Sequence, residues 1–273
     1  MSANIHVDQN SVTTLLAIEN QLTAACGIDL TYRPETTINY KRGILASYKP
    51  EVVPRIRYFG IGIKGFANLT SENNISQPYM PSATDCDLYE PIPFRCTPTP
   101  LQGEEAAQYV MRDTTTIDGT TYFRYWLKKI EFESSTVRLT KVNQETRIEE
   151  AFTYDTTSLT PVPVDIMPTD INTVKERIVA SVTGICRVTG KEVTEVINAM
   201  YGGDMRRARI SEIGTYSGVP KKVEESSDGL PAAEEAIYVQ LATHKCMTGH
   251  SLADPSAYFV ARKVFENGSS IIL

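Results

Sequence analysis

The chain has 273 residues, a formal net charge of −6, a hydrophobic fraction of 41% and a charged fraction of 22%. That is long enough for a full core, arranged as one large domain or two intimate ones. The acidic balance excludes a general nucleic-acid binder, no apolar run approaches the roughly 18–20 residues of a membrane span, and the start MSANIHVDQNSV lacks the basic and apolar regions of a signal peptide, which predicts a cytoplasmic protein.

The first predicted element is an amphipathic helix over about 11–25, capped by Asn10 or Ser11 and stopped by Gly27. Arg55–Leu69 then alternates apolar with small or polar residues and reads as strand. Its glycines at 60, 62 and 65 imply bulges or the close approach of another backbone. Residues 70–104 carry Pro78, Pro81, Pro91, Pro93, Pro98 and Pro100, and so should be extended chain. Tyr79, Leu88, Tyr89, Ile92 and Phe94 punctuate this segment. They read either as anchors of a stiff arm that docks on a neighbour, or as a long loop folded over its own core.

Strands follow at Tyr109–Thr116 and Thr120–Glu133, separated by the turn Asp118–Gly119, and at Thr136–Asn143, predicted to form a hairpin with the strand before it. With residues 146–154 these make a meander. The Pro-rich stretch 155–170 gives the expected division, a strand-rich body over 1–160 and a smaller α+β part over 161–273. In the latter, Val174–Val188 reads as helix or strand, with strand favoured by the alternation of Ile178, Ala180 and Val182, and Gly190–Met200 reads as a helix with a Thr189/Glu192 capping box and a stop at Gly202. Three further strands are expected near 208–216, 235–246 and 257–272, with the apolar end Ile271–Leu273 packed. The fold class is therefore α+β, predominantly antiparallel β with two or three short helices.

Few residues suggest chemistry. The five cysteines are odd in number and scattered, which does not suggest a disulfide framework, although Cys86 and Cys96 lie close enough in sequence to pair in an oxidising setting. Sequons at Asn68, Asn74 and Asn267 carry no weight without an export signal. His244, Cys246 and His250 form H-x-C-x₃-H, with metal-ligand types but no second pair at finger spacing. Cys246 beside a histidine also has the types of a nucleophile and base, with nothing in the sequence to orient the base. Asp85, Asp87 and Glu90 read as loop-capping carboxylates, because the glycine and distal glutamate of a calcium loop are missing. Arg206, Arg207 and Arg209 read as a solvated or salt-bridged cluster. No catalytic residue, metal ligand or cofactor is assigned, and the protein is expected not to be an enzyme.

Three blocks, RIRYFGIGIKGFANLT at 55–70, MPSATDCDLYEPIPFRC at 80–96 and AIYVQLATHKCMTGHSL at 236–252, resemble stretches of tailed-bacteriophage virion structural proteins. The resemblance implies a subunit of the head–tail neck, collar, tail-completion or baseplate type. Such a subunit forms a homo-oligomeric ring or sleeve, docks other virion proteins, is assembled in the host cytoplasm, and needs neither membrane nor direct nucleic-acid contact. The residues expected to mediate docking are Tyr79, Leu88, Tyr89, Ile92 and Phe94. The rival expectations are a monomeric carbohydrate- or protein-binding β-module and a metal-dependent enzyme using His244, Cys246 and His250.

Overall fold

The computed structural model describes residues 4–6, 12–13, 17, 21, 37–42, 54–68, 76–134, 137–143, 145–153, 176–224 and 230–270. The first half supplies β1 (Asn4–His6), β2 (Val12–Thr13), the one-turn helix α1 (Ile38–Lys41), β3 (Arg55–Gly62), β4 (Phe66–Asn68) and β5 (Ser76–Pro78). Next come β6 (Pro91–Ile92), β7 (Arg95–Thr97), the one-turn helix α2 (Gly103–Ala106), β8 (Tyr109–Ile117), β9 (Thr120–Lys129) and β10 (Glu131–Phe132). The remainder comprises β11 (Arg138–Asn143), β12 (Glu149–Ala151), β13 (Glu176–Thr189), α3 (Gly190–Met200), β14 (Arg209–Val223), β15 (Ala233–Ser251) and β16 (Tyr258–Ser270). The protein is mainly antiparallel β with a few short helices.

The chain divides into two units, each assembled from separate stretches of sequence: residues 1–130 with 186–261, and residues 131–185 with 262–273. The break expected near residue 160 therefore does not separate two consecutive domains. The larger unit contains an eight-stranded sheet ordered β2-β15-β14-β3-β9-β7, with β6 also pairing β3 and β8 pairing β9. Its centre is the long β14–β15 pair, with β3 antiparallel to β14. β3 is buried from Tyr58 onward because strands flank it on both edges and side chains cover both faces. Tyr58, Leu127, Tyr216, Val239 and Leu241 form the middle of this core. The Asp118–Gly119 turn forms as expected: both residues take positive φ, 48° and 78°, and Ile117 pairs with Thr120 across it. In the smaller unit β13 pairs with β10 and β11, and β11 with β12.

One expected helix start and one expected hairpin change. Val12 and Thr13 lie in β2, paired with His244 and Thr243, rather than in the first turn of a helix. Ala17 and Gln21 are helical, and the other residues of the expected 11–25 helix lie outside the described residues. The hairpin joining 120–133 to 136–143 does not form either: β9 pairs with β8, β3 and β7, whereas β11 pairs with β13 and β12. Alternation identifies a strand and its buried face but carries no information about its partner. The apolar end at 271–273 lies outside the described residues.

Helix α3 forms as its sequence predicts. The Thr189 side chain accepts from the Glu192 N–H, Glu192 accepts from the Thr189 N–H, and Val193, Val196 and Ile197 are buried. Glu192 does more than cap. Its Oε1 accepts from Lys128 Nζ at 2.8 Å and from the Tyr109 hydroxyl at 2.6 Å, tying the helix start to β9 and β8. Arg95 on β7 donates to Glu195 one turn further on. Carboxylates on one helix face thus meet cations that the sheet presents.

Candidate functional site

Antiparallel register places Glu212 of β14 opposite Cys246 of β15, and Gly214 opposite His244. The period of two then puts His244 and Cys246 on one face. The loop between β5 and β6 crosses this face and brings down Asp85, Leu88 and Tyr89. The β3–β4 turn closes in from the other side. It comes so near that a Cβ on Gly65 would stand 2.0 Å from the Ser211 carbonyl oxygen, and one on Gly62 would stand 2.9 Å from Glu212 Oε1. At Gly62 and Gly65 another backbone approaches, the Glu90 and Ser211 carbonyls, as expected from the sequence, whereas Gly60 makes room for the side chains of Tyr216 and Leu127.

At the centre is His244, fully buried. Its Nδ1 lies 2.8 Å from Asp85 Oδ2, and its Nε2 lies 3.4 Å from Glu212 Oε2 and 3.7 Å from Cys246 Sγ. An imidazolium donates from both nitrogens and so satisfies both carboxylates. Glu212, also fully buried, accepts backbone N–H groups of Lys64 at 2.7 Å, Tyr89 at 2.6 Å and Glu90 at 3.3 Å. Asp85 accepts from Ser82 N–H at 2.9 Å, closing a tight 82–85 turn, and from the Tyr89 hydroxyl at 3.3 Å. The Tyr89 ring stands edge-on to the imidazole, centroids 4.8 Å apart.

Burial alone pulls the His244 pKa down, but hydrogen bonds with Cys246, Glu212 and Asp85 outweigh it and push the value up to about 10. The group is therefore a buried cation at neutral pH. Burial and the neighbouring Asp85 push the Tyr89 phenol up to about 12, so it stays a donor.

Above this cluster lies an exposed apolar face. Met80 is 84% exposed, Tyr79 and Tyr89 are each about two-fifths exposed, and their rings meet edge-to-face at 6.0 Å. The Tyr89 hydroxyl also reaches the Met80 carbonyl at 3.4 Å. The three arginines noted in the sequence are all engaged. Arg207 pairs with Glu90 at 3.6 Å and lies over Tyr201, Arg209 lies over Phe66, and Arg206 pairs with Asp204. The basic cluster thus consists of surface ion pairs and cation–aromatic contacts.

The five residues expected to dock fall into two groups. Tyr79 and Tyr89 stand together at the surface. Leu88, Ile92 and Phe94 are corrections: at 5%, 1% and 0% exposure they are buried in their own unit and offer no surface to a neighbour. Pro91–Ile92 pairs with β3 and Arg95–Thr97 with β9, so the described part of the 70–104 segment is folded along its own sheet rather than projecting as an arm. Cys86 and Cys96 are both free thiols. Asp85, Asp87 and Glu90 cap and pair as loop carboxylates.

His244 and Cys246 are brought together, but His250 lies six residues on in the same strand, about 20 Å away at strand rise, against Phe259. Among the described residues no group of three or more His, Cys, Asp or Glu side chains is placed to hold a metal ion. Asp85 supplies the orienting carboxylate that the sequence did not reveal. Glu212 was missed as well; its signal is a single charge within the strand segment Ile210–Tyr216. No described helix is long and apolar enough to cross a membrane.

No curated protein and no solved structure matches the chain. A family model described as "Family of unknown function (DUF7208)" matches residues 1–260, and the chain belongs to that family.

Proposed function

We propose that this protein is a structural assembly subunit that acts by self-association and by docking other proteins through the face formed by Tyr79, Met80 and Tyr89. The observation that carries the reading is that face: three large apolar side chains at the surface of a loop whose underside is fixed by buried hydrogen bonds. Tyrosines are over-represented among residues that dominate binding, and methionine adapts to irregular surfaces. A loop already held in shape loses little entropy when a partner covers it. The resemblance of residues 55–70, 80–96 and 236–252 to tailed-phage virion proteins gives the assembly its proposed identity, a particle at the head–tail neck, collar or tail-completion position. In that setting the occupants of the face are a second copy in a ring or sleeve, or a neighbouring virion protein.

Light scattering coupled to size exclusion, with negative-stain images of the same peak, tests the proposal. A ring or a concentration-dependent oligomer that Tyr79→Ala combined with Met80→Ser dissolves is the expected result. An oligomer indifferent to both changes would sink the docking face. Point substitutions are needed here because deleting residues 76–100 would take Ile92 and Phe94 out of the core. The same exposed tyrosine pair also suits a monomeric carbohydrate- or protein-binding β-module. A strict monomer that binds a glycan through Tyr79 and Tyr89 would favour that second reading.

A further inference from the structure

The charge cluster under the docking face is asymmetric. Glu212 belongs to a strand paired on both sides and is held by three backbone N–H groups, so it cannot leave without breaking the sheet. Asp85 belongs to a surface turn, and its side chain is already partly open to water. If Asp85 parts from His244, water can solvate the carboxylate while the imidazolium keeps Glu212. Separation on that side therefore leaves no bare buried charge. Tyr89 follows the cluster through three different atoms: its N–H on Glu212, its hydroxyl on Asp85 and its ring on His244. The buried Leu88 and Ile92 fix the far end of the loop, and the β4–β5 pair fixes the near end. The piece between them, residues 79–87, has no strand pairing of its own; besides Asp85 it is held by the Tyr79 N–H on the Gly65 carbonyl, by buried Pro81, and by Asp87, which pairs with Lys41 and accepts from the Tyr216 hydroxyl. Cys246 lies beneath, buried against the imidazole.

We propose that Asp85, His244 and Glu212 form a releasable latch: closed, it holds Tyr79, Met80 and Tyr89 in their docking arrangement; open, it lets residues 79–87 lift and uncovers the Cys246 thiol. The purpose of the latch rests on the docking function proposed above, whereas its existence does not. His244 is its positioning residue. The ionisable groups facing it are Asp85 and Tyr89 from the loop, Glu212 from β14 and Cys246 from β15. A partner seated on the face would hold the latch shut, and the thiol would then report occupancy.

The test uses the full chain alone, with iodoacetamide as probe and peptide mapping to read each cysteine. A small free thiol in the same solution serves as the fast reference, because Cys86 rides on the 79–87 piece itself, and buried Cys96 and Cys186 report the intact core. In the native protein Cys246 is expected to alkylate far more slowly than the free thiol. His244→Gln, or Asp85→Asn if the first variant folds poorly, is expected to speed Cys246 by about tenfold or more while Cys96 and Cys186 stay protected, as local opening does. Amide hydrogen exchange is expected to quicken over 79–87 in the same variants, a readout that thiol ionisation cannot mimic. Cys246 remaining as slow as Cys96 in a folded variant overturns the latch. So does simultaneous exposure of all three buried cysteines, since the cluster would then open only with the whole core. If Cys246 opens as expected but association ignores Tyr79→Ala with Met80→Ser, the latch stands and the docking reading falls.

Discussion

Two buried charge clusters in the larger unit are built from similar parts and differ in what holds them. Around Glu192 every member sits in regular structure: the helix start, β8 and β9. Around His244, two carboxylates flank one cation, and one of them rides on a turn. Burying charge is tolerable only when it is paired and hydrogen-bonded, and both clusters meet that condition. What separates them is the way out. Glu192 and Lys128 can reach water only if helix and sheet come apart, whereas Asp85 needs only a loop to rise. Similar buried electrostatics can serve as a permanent rivet or as a catch, and the secondary structure beneath each member decides which.

The sharpest way to break this contrast is Lys128→Ala. It leaves Glu192 buried without its cation, and guanidinium unfolding should show a global loss of about 3–5 kcal/mol. His244→Gln should cost less, about 1.5–3 kcal/mol near neutral pH, as expected for hydrogen bonds to charged groups. Its pH dependence has a definite sign. Because the folded-state pKa of His244 is raised from 6.5 to about 10, the stabilisation is complete below pH 6.5 and is lost as pH rises through about 10. Urea midpoints of the native and variant proteins should therefore converge toward pH 10, and a gap independent of pH would remove the imidazolium from the account. Tyr89→Phe keeps the ring but loses the hydroxyl between Asp85 and Met80, so it should cost about 0.5–1 kcal/mol and quicken exchange over 79–87. Tyr79→Ala with Met80→Ser should stay within about 0.5 kcal/mol of the native stability while abolishing association, because the surface carries binding rather than folding.

Local signals in the sequence were sound at α3 and at the β8–β9 turn, but not at Val12–Thr13, where a cap and an apolar rhythm predicted the start of a helix and the chain pairs with β15 instead. The α3 helix declares itself in a dozen residues through Thr189, Glu192 and an apolar rhythm. The β8–β9 turn does so in the two residues Asp118 and Gly119. Strand identity at β3, β14 and β15 was legible from alternation, whereas at β13 the same residues left helix and strand both open. Partners were not. β3 meets β14 across the pairs Gly62–Glu212 to Arg55–Gly218, and Asp85 meets His244 over 159 residues, distances at which no local pattern speaks. The tyrosines and the buried Leu88, Ile92 and Phe94 occupy one proline-rich stretch in which neither a 2.0 nor a 3.6 period sorts inward from outward. Only the pairing of β6 and β7 with the sheet does so.

The discontinuous layout of the larger unit has a consequence for how the protein is made. β3 emerges early, yet its neighbour β14 begins at Arg209, and the β15 histidine follows at 244. Gly62 must therefore wait for Glu212, 150 residues later (212 − 62), which at ordinary translation rates is roughly 8–30 s. Until then the β3 edge that β14 will pair, and Leu88, which packs against Gly214, lack their final neighbours. A chain built this way benefits from a chaperone, or from slow self-association, during synthesis. The docking face can take its final shape only after most of the polypeptide has left the ribosome, which delays assembly until subunits are nearly whole.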